Sequence, residues 1–139
     1  MKSKAVLSQA EVSQILAAAR TEAQSNQWAV TIVVVDDGGH PLALERLDGC
    51  APASAYIATE KARTSALGRR ESKGYEEMVN GGRVAFLSAP LLTSLEGGVP
   101  IMVDGQVIGA VGVSGAPGGD EDEACAKAGI DAIRDKLDF

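Results

Sequence analysis

Two charged residues stand where an alternating strand would place core side chains. Pro41 to Asp48 reads as a strand, and period-two alternation sets Leu42, Leu44, Arg46 and Asp48 on one face, so a guanidinium follows two apolar positions. Arg46 can there offer its planar fork to a ligand carboxylate with Asp48 holding it in place, or the two can form an ion pair that closes the strand end. Further on, Glu60, Lys61 and Thr64 bring acid, base and hydroxyl together, and Ile57, Lys61 and Thr64 share one helical face. In a dry pocket Lys61 would lose affinity for its proton and serve proton transfer or imine chemistry, with Glu60 as a second proton carrier. The plainer reading is a lysine that lays its stem over apolar surface and keeps its charge in water. Ser114-Gly115 and the amides ahead of the last helix can make an anion nest. Asp120, Glu121 and Asp122 already bring negative charge to that terminus, which favours structural capping.

Other arrangements are poorer in chemistry. Gly109, Gly112 and Gly115 follow a G-x-x-G-x-x-G spacing along a strand and open no βαβ crossover, so a dinucleotide-binding turn is rejected. Glycine inside a strand admits a close neighbour, either a packed helix or a flat ligand. His40 is the one histidine; no nucleophile elbow accompanies it, and its place in the Gly39 to Pro41 turn reads as surface. As an axial ligand for haem it competes with Cys50, Tyr56, Met78 and Met102. No close pair of His or Cys exists to hold zinc, and no metal site is expected. Cys50 reads as a buried thiol.

The elements that must position these residues belong to one core, which is what 139 residues can close. Apolar residues form 45% of the chain and aromatics only 4%, so Ala, Val and Gly must pack backbones closely. A net charge of -6 opposes nucleic-acid binding, which rests on Lys and Arg releasing counterions. No apolar run is long enough for a signal peptide or a membrane span, so a cytoplasmic protein with no membrane partner is expected, its Cys50 and Cys125 free thiols.

Ser8-Gln9-Ala10-Glu11 fits a capping box with Leu7 stapled to Val12, and Val12, Ile15, Ala19 and Ala23 predict a helix ending near Asn26. Val30 to Val35, apolar on both faces, predicts a central strand covered on two sides. Asp36 to Gly39 turns it into the strand that carries Arg46. An alanine-rich helix over Pro52 to Leu67, stopped by Gly68, and a short helix near Lys73 to Asn80 follow. Arg83 to Gly97 is either a further strand through Val84 to Leu87 or a packed loop. Val99 to Val103 and Gln106 to Val113, joined by Asp104-Gly105, predict a hairpin with a type I′ turn. Asp120 and Glu123 can cap a final helix that buries Ala126, Ile130, Ile133 and Leu137.

Two segments carry a resemblance: Val35-Asp36 with Gly39 and Glu45-Arg46-Leu47-Asp48-Gly49, and Gly97-Gly98-Val99-Pro100 with Gly105, Val107 to Gly115 and Asp120-Glu121-Asp122. Together they resemble the GlcG/HbpS-like family, also called haem-degrading domain proteins and related to the C-terminal domain of PduO-type adenosyltransferases. Cys50 departs from the Ala common there. The resemblance implies a single α+β domain of profilin-like fold, with a five-stranded antiparallel sheet between helices, and assembly into homo-oligomers. The fifth strand must then come from Arg83 to Gly97. The roles it implies span haem binding and degradation, redox sensing, corrinoid-linked functions and conversion of small unsaturated or 2-oxo acids, so it narrows fold more than function. Spacing and resemblance together give the candidate ligand-binding residues Asp36, Arg46, Asp48, Lys61, Thr64, Gly98, Pro100 and Ser114, with Glu60 and Lys61 as catalytic groups if the protein is an enzyme. Haem is the leading ligand, and a sensor-associated subunit without chemistry of its own is the third alternative.

Overall fold

A computed structural model describes residues 1–137. Helix α1 (Gln9–Ser25) starts where its residues dictate: the Ser8 side chain accepts from the Glu11 N–H, and Glu11 reaches back to the Ser8 N–H. Strands β1 (Thr31–Asp36) and β2 (Pro41–Arg46) form an antiparallel hairpin, then α2 (Ala53–Gly68) and α3 (Lys73–Asn80) follow. The second hairpin is β3 (Gly98–Val103) and β4 (Gln106–Ser114), and the chain closes with α4 (Gly119–Asp131) and a short α5 (Arg134–Leu137).

The sheet runs β2-β1-β4-β3, antiparallel throughout. It has four strands among the described residues, not the five that the resemblance implies. Val84–Ser88 makes a 3-10 turn instead of a strand, because Phe86 stacks on Tyr75 of α3 and Leu91 takes a left-handed φ of 64° just after Pro90. An extended pairing segment cannot accommodate that bend. The Asp104-Gly105 turn behaves as expected, both residues having positive φ (51° and 74°).

Each face of the sheet takes a different cover. Ile32, Val34, Val99, Ile101, Val111 and Val113 meet α1 and α4 in the main core, which also takes in Leu7, Ile130, Ile133 and Leu137. Val33, Val35 and Ala110 meet Ala58, Ala62 and Ala66 of α2 in a thinner layer. That layer is thin because α2 lies almost on the backbone of the sheet. A Cβ at Gly112 would sit 2.2 Å from the Ala58 carbonyl oxygen, and one at Gly98 would sit 2.2 Å from that of Lys61. Both strand glycines therefore admit a helix, which decides between the two readings open in the sequence.

Two caps differ from expectation. The left-handed residue ending α2 is Arg69, whose N–H reaches Ser65, while Gly68 makes room for the Tyr75 ring. Helix α4 has Gly118 at its N-cap with no side-chain cap, so neither Asp120 nor Glu123 serves. The first-turn acid that does bond to backbone is Asp122, which accepts from the Ala116 N–H at 2.9 Å and so fixes the Ser114 to Gly118 turn.

Candidate functional site

The end of β2 and the end of α1 enclose a solvent-facing hollow of about 520 Å³. Its wall is Arg20, Gln24 and Gln27 from α1 and its exit, Trp28 and Ala29 from the connector, and Glu45, Arg46, Leu47 and Asp48. The connector is shaped by Gln27, at a positive φ of 61°, and by a 2.8 Å bond from the Trp28 N–H to the Ala23 carbonyl. That bend turns the indole against the main core with one part left open to the hollow. Arg20 is already engaged by Glu45. Arg46 and Asp48 are exposed, and among the described residues neither forms an ion pair, with each other or elsewhere. The hollow is thus lined by a guanidinium and a carboxylate that form no ion pair among the described residues, by two amides and by an aromatic side chain, a set suited to a flat ligand that carries a carboxylate.

Behind Arg46 lies Cys50, 8% exposed, whose thiol donates to the Leu47 carbonyl at 3.1 Å. Burial works to raise its pKa, but the hydroxyls of Ser54 and Thr31 and the Arg46 guanidinium outweigh it and hold the thiol below its ordinary value. Cys125 in the main core lacks such company, and burial pushes it up to about 12. Both thiols are free.

Lys61 goes elsewhere. It is 4% exposed, and its Nζ donates to the Val113 carbonyl at 3.0 Å and to Asp122 Oδ2 at 2.9 Å. The snorkelling expectation fails here because the close approach of α2 at Gly98 and Gly112 leaves the stem no route to water. Burial pushes the Asp122 carboxyl up, with Lys61 and the Ala116 N–H drawing it back. The result is a knot tying α2, β4 and the start of α4 together. Glu60, next in sequence, is exposed on the outer side of α2 near Arg63, so acid and base do not meet.

The remaining candidates are dispersed. Arg46, Thr31 and Ser114 lie in register across β2, β1 and β4, so Ser114 shares the end of the sheet with Arg46, but it is buried. Gly98 is jammed against α2, and Pro100 sits on the far edge strand, three strand spacings or ~14 Å from β2. Thr64 is buried and accepts from the Thr93 N–H at 2.7 Å, fastening the loop before β3 to α2. Asp36 is at the opposite end of the sheet, where Oδ1 accepts from the Gly38 and His40 N–H groups and shapes the β1–β2 turn. His40 is exposed in that turn, as expected. The structure therefore brings Arg46 and Asp48 together at one hollow and sends the other candidates into packing and turns. Sequence reasoning missed Trp28, Gln24 and Gln27; the one tryptophan of the chain, directly ahead of a buried strand, was the signal available.

An antiparallel sheet flanked by helices, with a hollow at one end, defines a single-domain α+β fold. The family described as "Haem degrading protein HbpS-like" matches residues 7–131, and the chain belongs to it. It is 70% identical over 114 residues to "Protein GlcG" of Escherichia coli (strain K12), covering 82% of this chain and 85% of that protein. Among solved structures it resembles HbpS, with a TM-score of 0.87 and 28% identity over 96% of this chain and 94% of that one. It also resembles the PduOC:haem complex, with a TM-score of 0.83 and 27% identity over 93% of this chain and 96% of that one. No helix among the described residues is long and apolar enough to cross a membrane.

Proposed function

We propose that this protein binds a flat, carboxylated small molecule, haem or a related compound, in the hollow between Trp28 and Arg46. The observation that carries the reading is that Arg46, exposed and without an ion-pair partner among the described residues, and Trp28 both line one hollow of about 520 Å³. That volume is in the range of small-molecule sites. Family membership and the haem complex of a structural neighbour add support. The residues fit the porphyrin part of haem better than its iron. Arg46 can hold a propionate and Trp28 can lie against the ring, whereas the wall includes no imidazole, thiol, thioether or phenol.

The test uses both halves of that statement. Haem and iron-free protoporphyrin are titrated into the protein with Trp28 fluorescence and porphyrin absorption as readouts. Both ligands are expected to saturate with similar affinity, and Arg46→Ala should weaken both by about tenfold or more, the loss of one charge-assisted hydrogen bond. Binding unchanged by Arg46→Ala would remove the hollow as the site, and no saturable change with either ligand would remove porphyrins altogether. Self-association belongs to the same reading. Leu42, Leu44, Tyr56, Val84, Leu87 and Leu91 are exposed apolar side chains, which supports contact between copies; a monomer in sedimentation would dismiss it.

A further inference from the structure

Four charged residues line the hollow at the end of β2: Arg20, Glu45, Arg46 and Asp48. Arg20 and Glu45 pair with each other and cancel. That leaves one positive and one negative group, Arg46 and Asp48, both exposed. Two residues of chain span at most about 7 Å, so both stand at one rim. Among the described residues they nevertheless form no ion pair, with each other or elsewhere. The chain changes direction between them. Leu47 packs on the main core and its N–H donates to the Val30 carbonyl at 2.9 Å, which continues the strand past Arg46. Directly beyond, the chain turns at Asp48 and Gly49, the glycine taking a left-handed φ of 88°.

An unpaired cation and an unpaired anion on one wall discriminate among ligands in a way that Arg46 alone cannot. A carboxylate drawn to Arg46 is repelled by Asp48. A second carboxylate on the same ligand meets no free cation in the wall, because Arg20 is taken. The net charge of -6 adds to the opposition. A ligand that carries a cationic group beside its carboxylate escapes both penalties, since its two charges match the two on the wall. Trp28, in the same lining, is an aromatic side chain for the flat remainder.

We infer that Asp48 sets the specificity of the hollow by pairing with a cationic group of the ligand, so that flat zwitterions are preferred to flat carboxylates that lack a cation. An aromatic 2-amino acid is the simplest member of that class. The inference rests on the reading of the hollow as a carboxylate site and narrows the ligands it takes. It also gives Asp48 a role other than holding Arg46. Porphyrins, with two carboxylates and no ammonium, bind against Asp48 and not with its help.

Phenylalanine and 3-phenylpropionate share ring, chain and carboxylate and differ in the ammonium group alone. Both are titrated into the full chain near neutral pH with the fluorescence of Trp28, the one tryptophan, as readout. Phenylalanine should bind about fivefold tighter, the upper end for an exposed ion pair. Asp48→Asn keeps the size of the side chain and drops its charge. In that variant the two probes should bind within about twofold of each other, and 3-phenylpropionate and iron-free protoporphyrin should both bind more tightly than to the native protein. Equal affinities in the native protein, or a preference that survives Asp48→Asn, overturn the role of Asp48. So does failure of both probes to bind while protoporphyrin binding still depends on Arg46, an outcome that leaves the carboxylate reading standing alone. Binding of every ligand that ignores Arg46→Ala removes that reading, and the inference with it.

Discussion

Arg46 and Lys61 are both charged side chains with apolar residues close by in sequence, yet the fold treats them in opposite ways. Lys61 lies under α2 with a carbonyl and a carboxylate at 3.0 and 2.9 Å, whereas Arg46 stands at the sheet edge with no ion-pair partner among the described residues. The difference is set by what covers each strand. Beta4 is central, and its glycines draw α2 onto the backbone until only a paired charge can remain inside. Beta2 is an edge strand that α2 covers poorly, so a charge there keeps its water and its capacity to bind something else. A charge thus keeps its water where the cover is thin and is tied into the assembly where it is tight.

The largest effect that separates the two should come from Lys61→Met, which keeps the apolar stem but strands Asp122 in the interior. Removing one member of a buried pair costs about 3–5 kcal/mol, read by urea unfolding near neutral pH. Because burial already raises the Asp122 carboxyl, and more so without Lys61, the loss should shrink as pH falls and be smallest below the ordinary value of 3.8, where Asp122 becomes protonated in both states. A loss below about 1 kcal/mol would mean that Lys61 behaves as a surface charge and that the contrast is wrong. Next in size is Gly112→Ala. Its methyl would meet the Ala58 carbonyl oxygen at 2.2 Å, so α2 must lift from the sheet, at about 1–3 kcal/mol or more. Full stability in that variant would show that the tight seat of α2 is not what confines Lys61.

How much of this was legible in the chain depends on range. The capping box at Ser8, the two hairpins and the buried run of β1 are local, and their residues specify them without help from the rest. Val84 to Leu87 has strand-like residues, yet Tyr75 and the bend at Leu91 hold it as a tight turn, which only tertiary packing reveals. The same limit governs the site. Alternation put Arg46 on one face with Leu42 and Leu44 and read that face as core, but both leucines are exposed, and it is Ala43 and Leu47 that pack on the main core, because α2 does not reach over the edge strand. That Lys61 was satisfied could not be seen either, because Asp122 is 61 residues away and is brought to it by the return of α4. Trp28 was passed over because its role depends on the bend at Gln27, a positive φ that nothing in the residue type announces.

The smallest effect is the sharpest test of the edge-strand half of the contrast. Arg46→Ala removes a side chain that is exposed and forms no ion pair among the described residues, so urea unfolding should change by no more than about 0.5 kcal/mol. What the variant should change is the neighbouring thiol. Without the guanidinium, burial acts on Cys50 against the two hydroxyls alone, so its pKa should rise and its alkylation at neutral pH should slow. Cys125, near 12, should be unreactive in both proteins and serves as the internal reference. A stability loss of about 2 kcal/mol or more would place Arg46 in the same structural class as Lys61, because a free surface charge has no contact whose removal could cost so much. The hollow would then be a gap left by packing, and the case for a carboxylate-binding edge would fall with it.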